Sequence, residues 1–360
     1  MNALRGSWRQ VPNQRHKPDI HSSQSTLLPR RMCHHEANYY DFENRNTIPE
    51  ETVKQTCDDT GVARGGKGAI LHGILSNQAK HQTVVGIKRL YIKGGAYEEK
   101  EKVEQALRRE IAVWCNLENQ NVLALLGIVI LSPTHNNYLP KSTVFYYYVH
   151  GDLKEYRANN KPSDLEMLKL LRDTAAGVSH IHQCNIVHGD LKDVNVVVEQ
   201  PGKARICDFG SAYALECANC IASPPDVFDS LMTQRYLSPE IRRGGDCRTT
   251  QQSDIWALGC ILLEGGAASV KGLTPVQLIQ TITQVLTGIP PYKSDHAFGW
   301  IRKQLKGEYP AEPSAFVSSS ISTDVGKLAF LCWGREPSMR PQAQSVLDNL
   351  EQMCVRYDVE

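Results

Sequence analysis

The feature of this sequence that most constrains its fold is a change of hydrophobic period near Ser163. Before it, VVGIKRLYI and TVFYYYV have the β-branched and aromatic content of strands, and one helical pattern repeats at Leu107, Ile111 and Trp114. After Ser163, a good helix N-cap, helical patterns recur to the end, as in SDIWALGCILLE and AQSVLDNLEQM. The sequence therefore predicts an α+β protein with a small β-rich lobe containing one long helix and a larger, mainly helical lobe.

Bulk composition excludes several classes of protein. With 41% hydrophobic residues among 360 the chain can build a core, and a net charge of +1 gives no overall field toward nucleic acid or an anionic membrane. The longest apolar run, VLALLGIVIL, is too short to span a bilayer, and the N-terminus lacks the apolar core of a signal peptide. Eleven cysteines without framework spacing fit a reducing compartment. We expect a cytoplasmic protein, with nuclear access open, no membrane span and no nucleic-acid partner.

Residues 1 to about 50 have a different composition from the rest of the chain. They are rich in Gln, Asn, His, Ser and Arg and show no hydrophobic period. Such a segment buries too little apolar surface to offset the entropy lost on ordering. A disordered tail is therefore predicted for residues 1–50.

A glycine-rich stretch, TGVARGGKGAIL at residues 60–71, could wrap a phosphate with its backbone. A Walker A loop would need Ser or Thr after Lys67 and a helix next, but Gly68 and a strand-like segment follow. The alternative is a β-hairpin that covers nucleotide phosphates. Its candidate nucleotide-binding residues are Ala63, Gly65, Gly66, Gly68 and Ile70.

Further polar residues follow in an informative order. Lys88 ends the strand pattern VGIK, and Glu110 lies within the predicted long helix. The stretch IVHGDLKDVNVVV then presents three polar residues in a short loop between strands, and ARICDFGSA presents an Asp-Phe-Gly turn after the next strand. The loop residues are Asp190, Lys192 and Asn195, and the turn begins at Asp208.

On these motifs the chain resembles the eukaryotic protein kinases. The resemblance covers about residues 54–356, with a predicted N-lobe of about 54–148 and a C-lobe of about 152–356, and it includes RYLSPE, SDIWALG and CWGREPSMRP. The ending CW-x-x-x-P-x-x-RP and the HGDLK loop look most like the tyrosine-kinase-like group, especially its fungal serine/threonine kinases. The resemblance implies the bilobal protein kinase fold.

The resemblance also implies a role for each site residue, with ATP and Mg²⁺ as cofactors. Lys88 would hold the α- and β-phosphates and pair with Glu110. Asp208 and Asn195 would ligate Mg²⁺. Asp190 would accept a hydrogen bond from the acceptor hydroxyl, and Lys192 would lie against the γ-phosphoryl oxygens.

The order Asp190-Leu-Lys192 and a hydroxyl at Thr233 look more like serine/threonine kinases than tyrosine kinases. The resemblance therefore implies protein substrates with Ser or Thr acceptors, in intracellular signalling. An alternative is a nucleotide-binding pseudokinase or scaffold.

Two glycines stand where the family pattern has another residue. Gly189 replaces the usual Arg of the catalytic loop, which in many kinases receives a phosphate on the activation loop. Gly86 replaces the alanine that packs on adenine, so we expect a slightly roomier pocket. Phe145 is the expected gatekeeper residue at its edge.

The largest departure is an apparent insertion, GGAASVKGLTPVQLIQTITQ, at residues 265–284. Its two glycines would end a helix, and Thr274-Pro275 would start another. The insertion could loop out, disrupt the C-lobe and inactivate the protein, or present a docking helix. Its clean boundaries also suggest a retained intron.

Overall fold

A computed structural model describes most of the chain from residue 34 onward. The described residues are 34–56, 63–65, 68–76, 81–92, 97–132, 138–215, 233–244, 248–266, 291–292, 299–306, 308–313 and 319–358. The predicted tail up to residue 33, residue Gly66 and most of the 265–284 insertion lie outside these ranges. Residues 216–232, between the Asp-Phe-Gly turn and Thr233, also lie outside them.

The N-terminal lobe is a mainly antiparallel sheet of seven strands. The strands are β1 Thr47–Ile48, β2 Val53–Gln55, β3 Ala63–Gly65, β4 Gly68–Ser76, β5 Gln82–Leu90, β6 Leu125–Ile130 and β7 Lys141–Tyr146. They pair in the order β1-β6-β7-β5-β4-β2, with β3 paired to β4 and β1 parallel to β6. Helix α2, Tyr97–Trp114, packs through Leu107 and Ile111 against apolar side chains of the sheet.

Regular secondary structure begins closer to the N-terminus than the sequence predicted. Helix α1, His34–Asn46, and the short strand β1 lie within the predicted disordered tail, which was therefore wrong for residues 34–50. The helix packs Tyr39, which is 2% exposed, and Phe42 into an apolar cluster shared with α2. Isolated short helices are marginal in water, so this one depends on tertiary contacts that its polar sequence does not reveal.

The C-terminal lobe is mainly helical, as predicted. Its helices are α3 Leu153–Asn160, α4 Asp164–Gln183, α5 Pro239–Arg242, α6 Gln251–Gly266, α7 Gly299–Leu305, α8 Ser320–Cys332 and α9 Ala343–Tyr357. Four short strands complete it, β8 Ile186–Val187, β9 Val196–Gln200, β10 Lys203–Ile206 and β11 Tyr213–Ala214. Helix α6 is buried along most of its length and forms the centre of the lobe. None of the helices in the described part of the chain is long and apolar enough to cross a bilayer.

A row of aromatic rings connects the two lobes. Phe145 of β7 lies 5.8 Å from Trp114 of α2, Trp114 lies 5.7 Å from Phe209, and Phe209 lies 5.4 Å from His188, between ring centroids. The Trp114 indole also donates a hydrogen bond to the carbonyl of Leu123. Aromatic pairs at these separations add stabilisation beyond area burial. The row therefore ties the end of α2 to the C-terminal lobe.

The expectation of a roomier pocket at Gly86 was wrong. Gly86 is paired with Phe145 across β5 and β7, and a Cβ placed on Gly86 would lie 2.5 Å from the Phe145 ring. The ring fills the volume that an alanine methyl would take. Gly86 thus allows Phe145 to lie over β5 and contact Trp114.

A bidentate ion pair links several elements of the C-terminal lobe. The fully buried Arg340 guanidinium donates to both oxygens of Glu240, at 2.6 and 2.8 Å, and to the carbonyls of Gln252 and Gly334, each at 2.9 Å. It also lies 5.1 Å from the Trp256 ring centroid. One side chain thus joins α5, α6 and the segment before α9.

Removing the carboxylate partner of Arg340 should destabilise the protein strongly. In Glu240→Gln a buried guanidinium loses its countercharge, and we expect a loss of about 3–5 kcal/mol in the free energy of unfolding. Urea denaturation measures it. Lys327→Ala, which removes a surface pair to Asp324, is the control and should cost only ~0–1 kcal/mol. Equal losses in the two variants would contradict the role given to Arg340.

Restoring the missing methyl group at position 86 should also destabilise the protein. In Gly86→Ala the new Cβ would overlap the Phe145 ring, and overpacking of this kind costs about 1–3 kcal/mol. The melting temperature should fall, and it should recover in part when Phe145→Leu is combined with Gly86→Ala. A Gly86→Ala variant as stable as the wild type would show that the ring moves aside freely.

Candidate active site

The glycine-rich stretch forms the predicted hairpin. Strands β3 and β4 pair with Ala63 opposite Ile70 and Gly65 opposite Gly68, and the tip lies outside the described residues. A Cβ on Gly68 would collide with the carbonyl oxygen of Arg89 on β5, so this position requires glycine. Strand β4 of the hairpin is therefore paired closely with β5, the strand that carries Lys88.

Three predicted site residues meet in one ion cluster. The Lys88 ammonium lies 2.7 Å from Glu110 Oε1 of α2 and 2.8 Å from Asp208 Oδ1, which follows β10. The exposed fraction of the side chain is 3% for Glu110, 17% for Lys88 and 43% for Asp208. The cluster lies at the junction of the lobes, and Asp208 is its solvent-accessible member.

The electrostatics of this cluster keep its members charged. Burial alone would lower the pKa of the Lys88 ammonium, but the Asp208 and Glu110 carboxylates outweigh burial and raise it. The Lys88 charge in turn holds the pKa of the Asp208 carboxyl well below its usual range, against the effect of burial. Both groups therefore stay ionised at physiological pH.

The loop between β8 and β9 holds the other three predicted polar residues. Lys192 Nζ lies 2.7 Å from Asp190 Oδ2, and the Asn195 amide nitrogen donates to the Asp190 carbonyl at 2.7 Å. Asp190 Oδ1 is buried and has no hydrogen-bond partner among the described residues. A carboxylate oxygen without a partner, beside a cation, is suited to accept a hydrogen bond from a bound hydroxyl.

Helix α6 supports this loop through the side chain of Asp254. The buried Asp254 carboxylate accepts hydrogen bonds from the backbone amides of His188, at 2.8 Å, and Gly189, at 3.0 Å. His182 Nε2 is 3.0 Å from the same carboxylate. The loop thus depends on a rigid helix for its shape, which is how precise sites are usually built.

The two metal-ligand candidates are brought together by backbone contacts. The Cys207 amide donates to the Asn195 carbonyl at 2.9 Å, so the catalytic loop lies beside the residue that precedes Asp208. His188 Nε2 lies 3.2 Å from the Cys207 carbonyl oxygen, and because that oxygen is an acceptor, Nε2 must be the donor. The other ring nitrogen, His188 Nδ1, accepts a hydrogen bond from the backbone amide of Asp190. Both loops are therefore fixed through His188.

Backbone conformation supports the site at two positions. Asp208 has φ = 65°, a left-handed conformation that is uncommon outside glycine but tolerated by Asp. Gly189 has φ = 77°, and a Cβ there would lie 2.9 Å from the Ser211 carbonyl. The glycine that replaces the usual Arg therefore suits both the conformation and the space.

Sequence reasoning missed a buried acidic group beneath the loop. The Tyr236 hydroxyl lies 3.0 Å from Asp193 Oδ1 and 2.8 Å from Glu264 Oε2. Burial, followed by the charge of the nearby Asp193 carboxylate, raises the pKa of Glu264 well above its usual value. These three residues come from distant parts of the sequence, so no local pattern showed that they meet.

The residues present fit a nucleotide with a divalent metal ion. Asp208 has an accessible carboxylate, and the Asn195 amide nitrogen is used in its own loop, which leaves the amide oxygen as a metal ligand. Lys88 presents a fixed positive charge beside Asp208. Such a donor set of hard oxygens with one ammonium suits Mg²⁺ and phosphates.

Comparison with known proteins agrees with this geometry. The protein kinase domain family matches residues 62–350. A probable cell division protein kinase of Encephalitozoon cuniculi is 31% identical over 50% of this chain and 60% of its own length. The serine/threonine/tyrosine-protein kinase HT1 of Arabidopsis thaliana is 23% identical over 82% of this chain and 66% of its own.

A bacterial relative shows the same similarity. The serine/threonine-protein kinase PrkC of Bacillus subtilis is 30% identical over 57% of this chain and 27% of its own length. This chain spans less than two thirds of the length of each of these three relatives. The family match covers well over half of the chain, and the fold has the two lobes that the family requires. The chain therefore belongs to the protein kinase family.

Proposed function

We propose that the chain is a serine/threonine protein kinase that transfers the γ-phosphate of ATP to protein hydroxyls. The observation that carries the proposal is the meeting of Lys88, Glu110 and Asp208 in one ion cluster, next to a loop that presents Asp190 and Lys192. Phosphoryl transfer needs positioning and charge neutralisation more than covalent chemistry. A site made of fixed charges on rigid elements supplies both.

The nucleotide would be held between the lobes. Lys88 would bind the α- and β-phosphates, with Ala63, Gly65, Gly66, Gly68 and Ile70 of the hairpin above them. Asp208 and Asn195 would hold Mg²⁺, which when bound supplies neutralising charge to the phosphates. The Lys88–Glu110 pair helps to fix the ammonium position, because separating opposite charges at a largely buried site is costly.

The acceptor hydroxyl would be oriented by the catalytic loop. The Asp190 carboxylate would accept a hydrogen bond from the hydroxyl and so point the hydroxyl oxygen at the γ-phosphorus. The hydroxyl proton would pass to Asp190 as the new O–P bond forms and the bond from the γ-phosphorus to the ADP oxygen breaks. Lys192, held 2.7 Å from Asp190 Oδ2, presents positive charge where the transferred group gains negative charge. Asn195 keeps the loop closed through its bond to the Asp190 carbonyl.

The finer assignment rests on sequence and relatives. The Asp190-Leu-Lys192 order supports Ser and Thr acceptors, and the names of relatives include serine/threonine-protein kinase and serine/threonine/tyrosine-protein kinase. We place the chain in the tyrosine-kinase-like group, in intracellular signalling, on the CW-x-x-x-P-x-x-RP ending. The protein substrate itself is not specified by these residues.

The proposal predicts Mg²⁺-dependent transfer of label from ATP to a generic protein substrate. Asp190→Asn should lower kcat by about 10²–10⁴-fold while ATP still binds, because it removes the proton acceptor and the charge paired with Lys192 but leaves Lys88 and Asp208 in place. Asp208→Asn should abolish transfer and weaken ATP binding in Mg²⁺. Phosphotransfer assays and calorimetric titration with ATP measure the two effects.

Asp348→Asn, at an exposed aspartate of α9, is the matched control and should leave transfer unchanged. Transfer that survives in both Asp190→Asn and Asp208→Asn would contradict the proposal. ATP binding without transfer by the wild type would instead favour the pseudokinase or scaffold.

A further inference from the structure

The N-terminal segment packs against the helix that carries Glu110. We call residues 34–52, which comprise α1, β1 and the 3₁₀ turn Glu50–Thr52, the N-terminal clamp. Its Tyr39 ring is 2% exposed and shares an apolar cluster with Leu107 and Ile111 of α2. The cluster also includes side chains of the sheet, Leu90, Ile92, Ile128 and Leu139.

Polar contacts fix the clamp to both the sheet and α2. Lys141 of β7 lies 2.5 Å from Glu43 Oε1 and donates to the Tyr39 hydroxyl at 2.9 Å. Arg108 of α2 lies over the Tyr39 ring, 5.8 Å from its centroid, and donates to the Tyr40 hydroxyl at 3.2 Å. Tyr39 is thus held between a strand and the helix.

The sheet has a position shaped to receive the clamp. Strand β1 pairs in parallel with β6, with Thr47 opposite Ile128. A Cβ on Gly127 would collide with the Asn46 carbonyl and lie 2.8 Å from the Ile48 side chain. Beyond β1, the Glu50 carboxylate accepts from the amide and hydroxyl of Ser132, at 2.8 and 3.1 Å. The clamp is therefore anchored at both ends.

The clamp contacts α2 within one residue of Glu110. Ile111 faces the clamp, and Glu110 lies about 100° around the helix from it, since an α-helix turns once in about 3.6 residues. A rotation or outward shift of α2 that separated Ile111 from Tyr39 would also move Glu110 away from Lys88. The contact of Ile111 with Tyr39 and the pair of Glu110 with Lys88 therefore require the same position of α2.

We propose that the N-terminal clamp is a positioning element of the phosphoryl-transfer site, which holds α2 where Glu110 pairs with Lys88. Tyr39 and Glu43 are its positioning residues. The inference rests on the proposed function for its effect on catalysis, but its effect on α2 does not. Residues 34–52 then belong to the part of the protein that transfer requires. A protein truncated at residue 54 would lack the contacts that hold α2 in place.

Hydrogen exchange of the full chain tests the effect on α2. Tyr39→Ala should raise exchange of the α2 amides by about tenfold or more, with α8 and α9 unchanged, because only the local opening of α2 becomes easier. Gly127→Val should do the same by displacing the clamp without altering α2. Tyr39→Phe keeps the ring and should have the smaller effect, and Glu43→Gln serves if Tyr39→Ala does not fold.

Kinetics test the link to Glu110. In the wild type, Tyr39→Ala should lower kcat by about tenfold or more, whereas in a Glu110→Gln background it should add less than about twofold, since the two changes act on one contact. Equal fold-losses in both backgrounds, or α2 exchange that stays at the wild-type rate, would overturn the proposal. If the wild type transfers no phosphate, the proposed function fails, and the exchange measurement alone still decides whether the clamp positions α2.

Discussion

The structure depends on one buried ammonium group shared by two carboxylates. Lys88 comes from the sheet, Glu110 from α2 and Asp208 from the helical lobe, and their charges meet at 2.7 and 2.8 Å. Desolvating such groups is costly unless each is paired with good geometry. The sheet, the helix and the loop after β10 must therefore all be placed correctly, and the rest of the fold can be understood as the means of placing them.

The elements that carry the site residues have separate supports. The glycine hairpin and β7 hold β5, the aromatic row from Phe145 to His188 ties α2 to the lower lobe, and Asp254 holds the loop that carries Asp190. The supports come mainly from strands and helices, whereas Asp190 and Asp208 are on loops. This division is common in enzymes, because loops vary and scaffolds fix position.

Much of this arrangement could be predicted from the sequence. Hydrophobic period gave the strand-rich and helical halves, and the order of Lys88, Glu110, Asp190, Asn195 and Asp208 indicated a nucleotide site. Helix α1 was missed because its stability comes from contacts of Tyr39 and Phe42 with distant residues, which no local period shows. The filling of the Gly86 space by Phe145 and the Asp193–Tyr236–Glu264 group were missed for the same reason.

The proposed function requires Lys88 and Glu110 to act as one unit in holding the nucleotide. A calorimetric comparison of the wild type, Lys88→Met, Glu110→Gln and the double variant, each titrated with the Mg²⁺ complex of a non-hydrolysable ATP analogue, measures this coupling. We expect the double variant to bind no more weakly than the worse single variant, which corresponds to a coupling energy of about 0.5–3 kcal/mol. Losses that simply add, or single variants that bind as tightly as the wild type, would contradict it.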